Sequence, residues 1–168
     1  PVVAACVILP ENVYIKGLND SKKLTPAARD RLYDEIIEKA VGVGVGIVDE
    51  KCIDEINILN ATKKAMQLAV ENVNPTPEVL LIDALKLENI RLRQVPIIKG
   101  DSLSISIAAA SVIAKVTRDR LLVALDEKYP VYGFKNHKGY GTKEHINAIK
   151  KYGLCPIHRI SFTKNILG

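Results

Sequence analysis

The segment VGVGVGIV, at residues 41–48, decides the fold class of this chain. Valine alternates with glycine at a strict period of two, which indicates a β-strand rather than a helix. Glycines inside a strand indicate that another backbone or side chain packs closely against it. Upstream, Leu32, Ile36 and Ile37 recur at helical spacing. The segment therefore predicts a strand that follows a helix, as in an α/β domain.

Periodicity extends this pattern along the rest of the chain. The further predictions are a buried strand at 1–9, a loop to Leu24, helices at 27–40 (capped by Thr25) and 54–73, strands at 78–83 and 94–99, a long helix from Ser102 or Ser104 to Lys128, and a helix from Thr142 to about Tyr152. The tail after Leu154 has no clear period and is expected to be irregular. The order of elements predicts one domain over residues 1–168, with a mixed sheet and a helical portion from about residue 128.

Composition narrows the class of partner. Lys and Arg exceed Asp and Glu by a net charge of +5, which favours a polyanionic partner. Six Tyr, two Phe and no Trp argue against a platform of several stacking aromatics, although a single stacking Tyr remains open. The sequence contains no run of about 18 apolar residues, so a membrane span is not expected. Three cysteines without CxxC spacing argue against a disulfide framework or a zinc site and predict structural thiols in a reducing, cytoplasmic setting.

Two acids stand next to apolar segments. Asp83 closes the predicted strand VLLID, and acids at the carboxyl ends of strands often line the active crevice of α/β proteins. An acid that only turns the corner after the strand explains Asp83 equally well. Asp101 begins a predicted helix, where it could simply satisfy free backbone N–H groups. Two carboxylates that converged on one point would attract a hard cation such as Mg²⁺.

Two basic loops could meet nucleic acid. They are NDSKKL at 19–24 and KNHKGYGT at 135–142, and they offer lysines for phosphate and one tyrosine for stacking. Lysine-rich loops are also often just solvated. His145 is expected on a helix surface, and His158 is expected either to pack locally or to contact phosphate. The three histidines show no metal-ligand spacing.

A series of motifs in one order carries a family resemblance. The motifs are PVVAA (1–5), LNDSKKL (18–24), IDA (82–84), KGD (99–101), SIAAASVIAKVTRD (106–119), YGF (132–134), HKGYGT (137–142) and PIHRISF (156–162). This series resembles bacterial ribonuclease HII from the first residue to the last. The resemblance implies a ribonuclease H-like α/β fold with a mixed central sheet flanked by helices. It also implies an endonuclease that uses two Mg²⁺ or Mn²⁺ ions, hydrolyses the RNA strand of RNA–DNA hybrids and cuts 5′ of ribonucleotides embedded in duplex DNA.

The resemblance also assigns roles to residues. The third and fourth catalytic acids of the family, which are metal ligands, fall on Asp83 and Asp101. The tyrosine that stacks on the deoxyribose beside the target ribonucleotide falls on Tyr140. The positions that grip phosphate fall on or near Ser21, Lys22, Lys115, Lys138 and Thr142.

One part of the family pattern is missing from the sequence. The family has an upstream strand with an Asp-Glu pair, which supplies the other two metal ligands, and a Gly-Arg-Gly segment. We therefore expect the first central strand to be absent and this chain to be inactive or nearly so, whereas the complete protein is expected to be a monomer. Two alternatives stay open: a hybrid-binding module without cleavage, and an unrelated α/β enzyme for a small phosphorylated substrate.

Overall fold

The computed structural model describes residues 1–167 and confirms the predicted order of elements. The strands are β1 (Val2–Ile8), β2 (Gly42–Val48), β3 (Val79–Asp83) and β4 (Arg93–Ile97). The helices are α1 (Pro26–Lys39), α2 (Glu50–Asn72), α3 (Gly100–Leu103), α4 (Ile105–Lys128), α5 (Phe134–His137), α6 (Lys143–Tyr152) and α7 (Ile160–Leu167). Short 3₁₀ turns lie at Ser21–Lys23 and Pro130–Tyr132.

The strands are of mixed direction, as predicted, but within residues 1–167 they form two separate sheets. β1 pairs with β2 in antiparallel register from Val2↔Val48 to Ile8↔Gly42. β3 pairs with β4 in parallel register from Val79↔Arg93 to Asp83↔Ile97. No strand among these residues joins β1 to β3.

A groove separates the two sheets. It has a volume of about 680 Å³, and residues 3–8 of β1, Leu9 and residues 79–83 of β3 line it together with side chains of α2 and α4. Within the described chain, β1 and β3 each pair along one edge only, so both present unpaired backbone N–H and C=O groups. We call this space the interstrand groove.

The glycines of β2 let α2 lie directly on the strand. A Cβ atom at Gly42, Gly44 or Gly46 would fall 2.4, 2.1 or 1.9 Å from a backbone carbonyl oxygen of the segment that covers the strand. No side chain fits in that space, so the predicted close packing against VGVGVGIV is confirmed. The helix is interrupted at Asn57, whose φ of 68° is non-helical.

Helix α4 is the centre of the core. Ala109, Val112 and Ile113 are completely buried on it, and they pack in one cluster with Leu32 and Ile36 of α1. Ser104 caps the helix, since its Oγ accepts a hydrogen bond from the Ile107 N–H (3.4 Å). Of the two starts predicted for this long helix, Ser104 is therefore correct.

The prediction of an irregular tail is wrong, because residues 160–167 form α7. The Asp54 carboxylate of α2 accepts hydrogen bonds from the N–H groups of Ile160 (2.7 Å) and Ser161 (3.0 Å). These bonds satisfy free donors at the start of α7. The cap comes from a residue more than a hundred positions upstream, so no local pattern predicted the helix.

Candidate nucleic-acid and metal site

The two predicted acids lie side by side. Asp83 ends β3, and its Oδ1 accepts a hydrogen bond from the Gly100 N–H (2.9 Å), next to Asp101 in α3. Both carboxylates are half-buried. A Cβ atom at Gly100 would lie 3.5 Å from the Asp83 Cα and 2.5 Å from the Ile107 Cδ1, so the two segments touch. We call Asp83 and Asp101 the acid cluster.

The backbone on both sides of the acid cluster is strained. Ala84, directly after Asp83, has a φ of 55°, and Lys99, two residues before Asp101, has a φ of 56°. Residues with a Cβ atom rarely adopt this left-handed conformation, which costs on the order of 1 kcal/mol or more. Such strain concentrates at functional sites. It agrees with a role for both acids beyond turning the chain.

The acid cluster has the chemistry of a divalent-cation site, but it is only part of one. Carboxylate oxygens are the ligands that Mg²⁺ prefers. Among residues 1–167, however, no group of three or more His, Cys, Asp or Glu side chains could hold a metal ion. The two carboxylates are thus chemically suited to part of a ligand set, and a complete set would need further oxygen ligands.

The first basic loop lies beside the acid cluster. Lys23 Nζ donates to Ser102 Oγ (3.5 Å), on the same short helix as Asp101. Ser21 is buried and Lys22 is exposed. The Arg29 guanidinium donates to the Ser21 carbonyl (3.0 Å) and fixes the turn. Of the two lysines in this loop, Lys23 is thus the one with a contact to the acid-bearing helix, although only Lys22 was predicted as a site residue.

A second cluster surrounds Tyr140, whose side chain is exposed (57%). Lys115 Nζ and Arg118 Cζ of α4 each lie 5.4 Å from the centre of its ring. Lys115 also donates to Asp119 Oδ1 (2.6 Å), and Arg118 donates to the Lys138 carbonyl (3.0 Å). We call Lys115, Arg118 and Tyr140 the tyrosine cluster.

Arg118 was missed by the sequence analysis. Its spacing from Lys115, three residues along a helix, places both cations on one face and was the available signal.

Lys138 and Thr142, the two remaining predicted site residues, hold the loop. The Lys138 ammonium donates to the Lys135 carbonyl, and Thr142 Oγ1 accepts from the His145 N–H (3.3 Å) to cap α6. Thr142 is exposed. Its hydroxyl hydrogen therefore remains available to a ligand.

The two clusters are separate. No hydrogen bond or ion pair between described residues links the acid cluster to the tyrosine cluster. Helix α4 connects them, since it begins just after Asp101 and carries Lys115 about ten residues further on. At 1.5 Å per residue, the ten residues from the start of α4 to Lys115 span roughly 15 Å along the helix axis.

The histidines correct a further prediction. His145 is not on the surface but buried (6% exposed), as are His137 and His158. The Nε2 atoms of His145 and His158 lie 3.0 Å apart, and the rings of His137 and His145 stack at 4.4 Å. Of the two roles predicted for His158, local packing is the one observed. His145 lies four residues before the buried Ile149 on α6, and this helical spacing was the sequence signal that His145 faces inward.

Burial shapes the titration of this group. It lowers the pKa of His145 and of His158 below the ordinary value, since it disfavours the charged imidazolium, and in both cases a hydrogen bond to a backbone carbonyl opposes the shift. Burial raises the pKa of the Cys155 thiol for the same reason. His145, His158 and Cys155 are thus expected to be neutral at physiological pH.

Comparison with known proteins identifies the family. The sequence model for Ribonuclease HII matches residues 1–165. The ribonuclease HII of Acetivibrio thermocellus is 69% identical over 167 residues, which cover 99% of this chain and 65% of that protein. The chain belongs to the ribonuclease HII family, and it spans 65% of the length of this relative.

Solved structures confirm the predicted ribonuclease H-like fold. The crystal structure of ribonuclease H2 from Pyrococcus horikoshii superimposes with a TM-score of 0.77 at 24% identity, over 99% of this chain and 96% of that one. Ribonuclease HII from Archaeoglobus fulgidus, solved as a complex with PCNA, gives a TM-score of 0.72 at 25% identity, over 90% and 81% of the two chains. Among residues 1–167, no helix has the length and apolar character needed to cross a membrane.

Proposed function

We propose that the complete protein is a metal-dependent endonuclease that hydrolyses the RNA strand of RNA–DNA hybrids and cuts 5′ of ribonucleotides embedded in duplex DNA. Family membership supports the reaction class. The observation that carries the site assignment is the hydrogen bond from Gly100 N to Asp83 Oδ1, because it brings the two predicted acids together. We further propose that the protein acts as a monomer in the cytoplasm, where its free thiols would remain reduced.

Asp83 and Asp101 would each provide carboxylate oxygens to Mg²⁺ or Mn²⁺. When bound, two such ions supply an activated water and neutralise the charge on the attacking and leaving oxygens. The Gly100 N–H occupies one lone pair of Asp83 Oδ1 and leaves Oδ2 free. The same bond fixes the rotamer of the carboxylate, so that the site is organised before the substrate arrives.

The interstrand groove is the proposed position of the missing ligands. An extended segment between β1 and β3 would pair with both unpaired strand edges and join the two sheets into one. Asp83 lines the groove, so carboxylates on such a segment would lie close to the acid cluster. We propose that an upstream strand with an Asp-Glu pair occupies it. Without this strand, the chain of 168 residues is expected to be inactive or nearly so.

The tyrosine cluster and the basic loops would hold the nucleic acid. The exposed Tyr140 ring is available to stack on a sugar, while Lys115 and Lys138 lie near it for phosphate. Ser21 and Lys22 would contact the backbone nearer the acid cluster, and Thr142 would donate its hydroxyl hydrogen to a phosphate oxygen.

The direct test is Asp83→Asn in the full-length protein, assayed on a DNA duplex that contains one ribonucleotide. The substitution keeps the acceptor for Gly100 N but removes the negative charge, so cleavage should be abolished while binding in the absence of divalent metal is retained. Asp34→Asn is the matched control, because Asp34 is an exposed acid of α1. Cleavage by Asp83→Asn at the wild-type rate would refute the site assignment.

A hybrid-binding module remains the second candidate for the 168-residue chain itself. The observation in its favour is that this chain has an assembled tyrosine cluster but no group of three metal-binding side chains among its described residues. Such a module should bind hybrid duplex with an affinity that falls steeply with salt, since phosphate contacts release counterions. Fluorescence anisotropy with a labelled hybrid, between about 50 and 200 mM salt, measures this.

A further inference from the structure

We propose that His145 and His158 are positioning residues for Tyr140. A buried chain of hydrogen bonds runs from Cys155 through both imidazoles to the Tyr140 carbonyl, and uptake of a proton at His145 Nε2 breaks it and loosens the loop that presents the tyrosine ring. This inference rests on the role proposed above for Tyr140 in substrate binding.

The loop around Tyr140 is held from the inside of the molecule. The Tyr140 carbonyl accepts hydrogen bonds from His145 Nδ1 (2.9 Å) and from the Thr142 N–H (2.8 Å). The Gly139 N–H donates to His137 Nδ1 (3.2 Å). Lys138 and Gly139 both have positive φ values, 52° and 78°, so the backbone needs such support. The ring itself is exposed, and its position therefore depends on its anchored backbone.

The partners fix the tautomer of each imidazole. The Tyr140 carbonyl can only accept, so His145 carries its hydrogen on Nδ1, and its Nε2 is an acceptor. His158 must then donate from Nε2 to His145 Nε2 (3.0 Å). This leaves His158 Nδ1 as the acceptor for the Cys155 N–H (2.9 Å) and for the thiol, whose Sγ lies 3.0 Å away. The Cys155 carbonyl oxygen lies 3.3 Å from the same atom and can accept from it only when the ring is charged. Every donor in this chain meets an acceptor only while both rings are neutral.

A second proton on either ring disrupts the chain. If a proton from solvent binds His145 Nε2, two N–H groups face each other across 3.0 Å. If it binds His158 Nδ1, that atom can donate to the Cys155 carbonyl oxygen (3.3 Å), and the Cys155 N–H loses its acceptor instead. In both cases a buried donor loses its acceptor. Only the first case acts on the segment that carries Tyr140, because His145 is bonded directly to its carbonyl.

The surroundings favour the neutral rings. A cavity of about 160 Å³ adjoins His145 and His158, and the charged side chains that line it are Arg118 from α4 and Arg159 before α7. His137 of α5 faces His145, and Cys155 faces His158.

The acids on the packed elements are engaged elsewhere. Asp126 of α4 accepts from the Lys135 N–H (3.3 Å), and Glu144 of α6 accepts from the Asn136 side chain (3.1 Å). A metal does not explain the cluster either, because within the described chain no group of three ligands could hold one. We therefore assign the buried histidines the role of holding the Tyr140 loop through their hydrogen bonds.

The test uses the full-length protein without divalent metal, so that binding is measured without cleavage. The affinity for a duplex with one ribonucleotide is compared with that for the all-DNA duplex from about pH 8 to about pH 5.5, across the ordinary titration range of histidine. The preference of the wild-type protein for the ribonucleotide-containing duplex should fall roughly tenfold as the pH is lowered, which is the scale of one lost stacking contact. His145→Asn should have a pH-independent preference, since Asn retains a donor near the position of Nδ1 and does not titrate.

A double-mutant cycle separates positioning from general damage. His145→Ala should weaken ribonucleotide preference strongly in wild type but hardly in the Tyr140→Ala background. Equal losses in both backgrounds, or a wild-type preference that does not change with pH, would overturn the proposal.

Imidazole ¹⁵N spectra provide a readout that is independent of substrate. They should show hydrogen on Nδ1 of His145 and on Nε2 of His158, and the amide signals of Gly139 and Tyr140 should shift with the same midpoint as these rings. The opposite tautomers would overturn the proposal even if the enzyme is active. Absence of cleavage with the expected tautomers would instead count against the proposed function alone.

Discussion

The acid cluster and the tyrosine cluster lie along the same helix but differ in how complete they are. Tyr140 has its flanking cations and its buried histidine support within residues 1–167. Asp83 and Asp101 have each other but no third metal-binding side chain in that range, and they adjoin the interstrand groove. If the proposed function is correct, this difference means that substrate binding relies on residues within this range, whereas cleavage relies on a segment that fills the groove.

The largest expected effect is on the acid cluster. Asp101→Asn in the full-length protein should abolish cleavage, because it removes one anionic metal ligand. The measurement is single-turnover cleavage of a duplex with one ribonucleotide, and Asp30→Asn, an exposed acid of α1, is the control. If Asp101→Asn and the control cleave equally well, Asp101 acts only at the helix terminus.

Two glycine substitutions sharpen the comparison. Gly100→Ala should distort the acid cluster, since its Cβ would lie 2.5 Å from the Ile107 Cδ1 in the core, and such overpacking costs about 1–3 kcal/mol. Gly141→Ala, beside Tyr140, should leave stability unchanged because no atom lies within 4 Å of the new Cβ. Thermal unfolding measures both. Similar melting temperatures for the two variants would contradict the close contact between the acid-bearing segments.

A smaller effect is expected at the tyrosine cluster. Tyr140→Ala should weaken binding to a duplex with one ribonucleotide by roughly tenfold, which is the scale of one stacking contact. Tyr152→Ala is the control, since Tyr152 is exposed on α6 away from Lys115 and Arg118. Cleavage at saturating substrate should change less than affinity. An equal loss of affinity for plain DNA would indicate a structural defect rather than a lost stacking contact.

The smallest effect is on stability at acid pH. His145 and His158 have lowered pKa values in the folded state, so the unfolded chain takes up protons more readily as the pH falls through about 6.5. Stability should therefore decline below about pH 6.5 and show little dependence on these groups above it. Urea unfolding of wild type and His158→Gln measures the difference. An identical decline in both proteins would mean that His158 does not contribute.

Local patterns predicted the features that depend on neighbours in sequence. The strand at 41–48, the close packing against its glycines and the cap at Ser104 all follow from residues a few positions apart. Strand ends and helix starts also placed Asp83 and Asp101 correctly, although no pattern showed that they meet.

The missed features depend on residues far apart in the chain. Asp54 caps α7 across 106 positions, and His145 meets His158 across 13. The division into two sheets likewise depends on which strands pair, and periodicity within a strand carries no information on its partner. Only the helical spacing between His145 and Ile149 could have predicted the burial of His145, and the sequence analysis did not use it.

Cleavage by the 168-residue chain itself is the most direct test of the account. The purified chain, with its mass of 18.5 kDa verified, would be incubated with Mg²⁺ or Mn²⁺ and a duplex that carries one ribonucleotide, beside the full-length protein. A cooperative thermal unfolding transition of the same sample would show that the chain is folded. The account predicts binding without cleavage by this chain and cleavage 5′ of the ribonucleotide by the full-length protein. Cleavage by the 18.5 kDa chain at the full-length rate would contradict the claim that carboxylates beyond Asp83 and Asp101 are required.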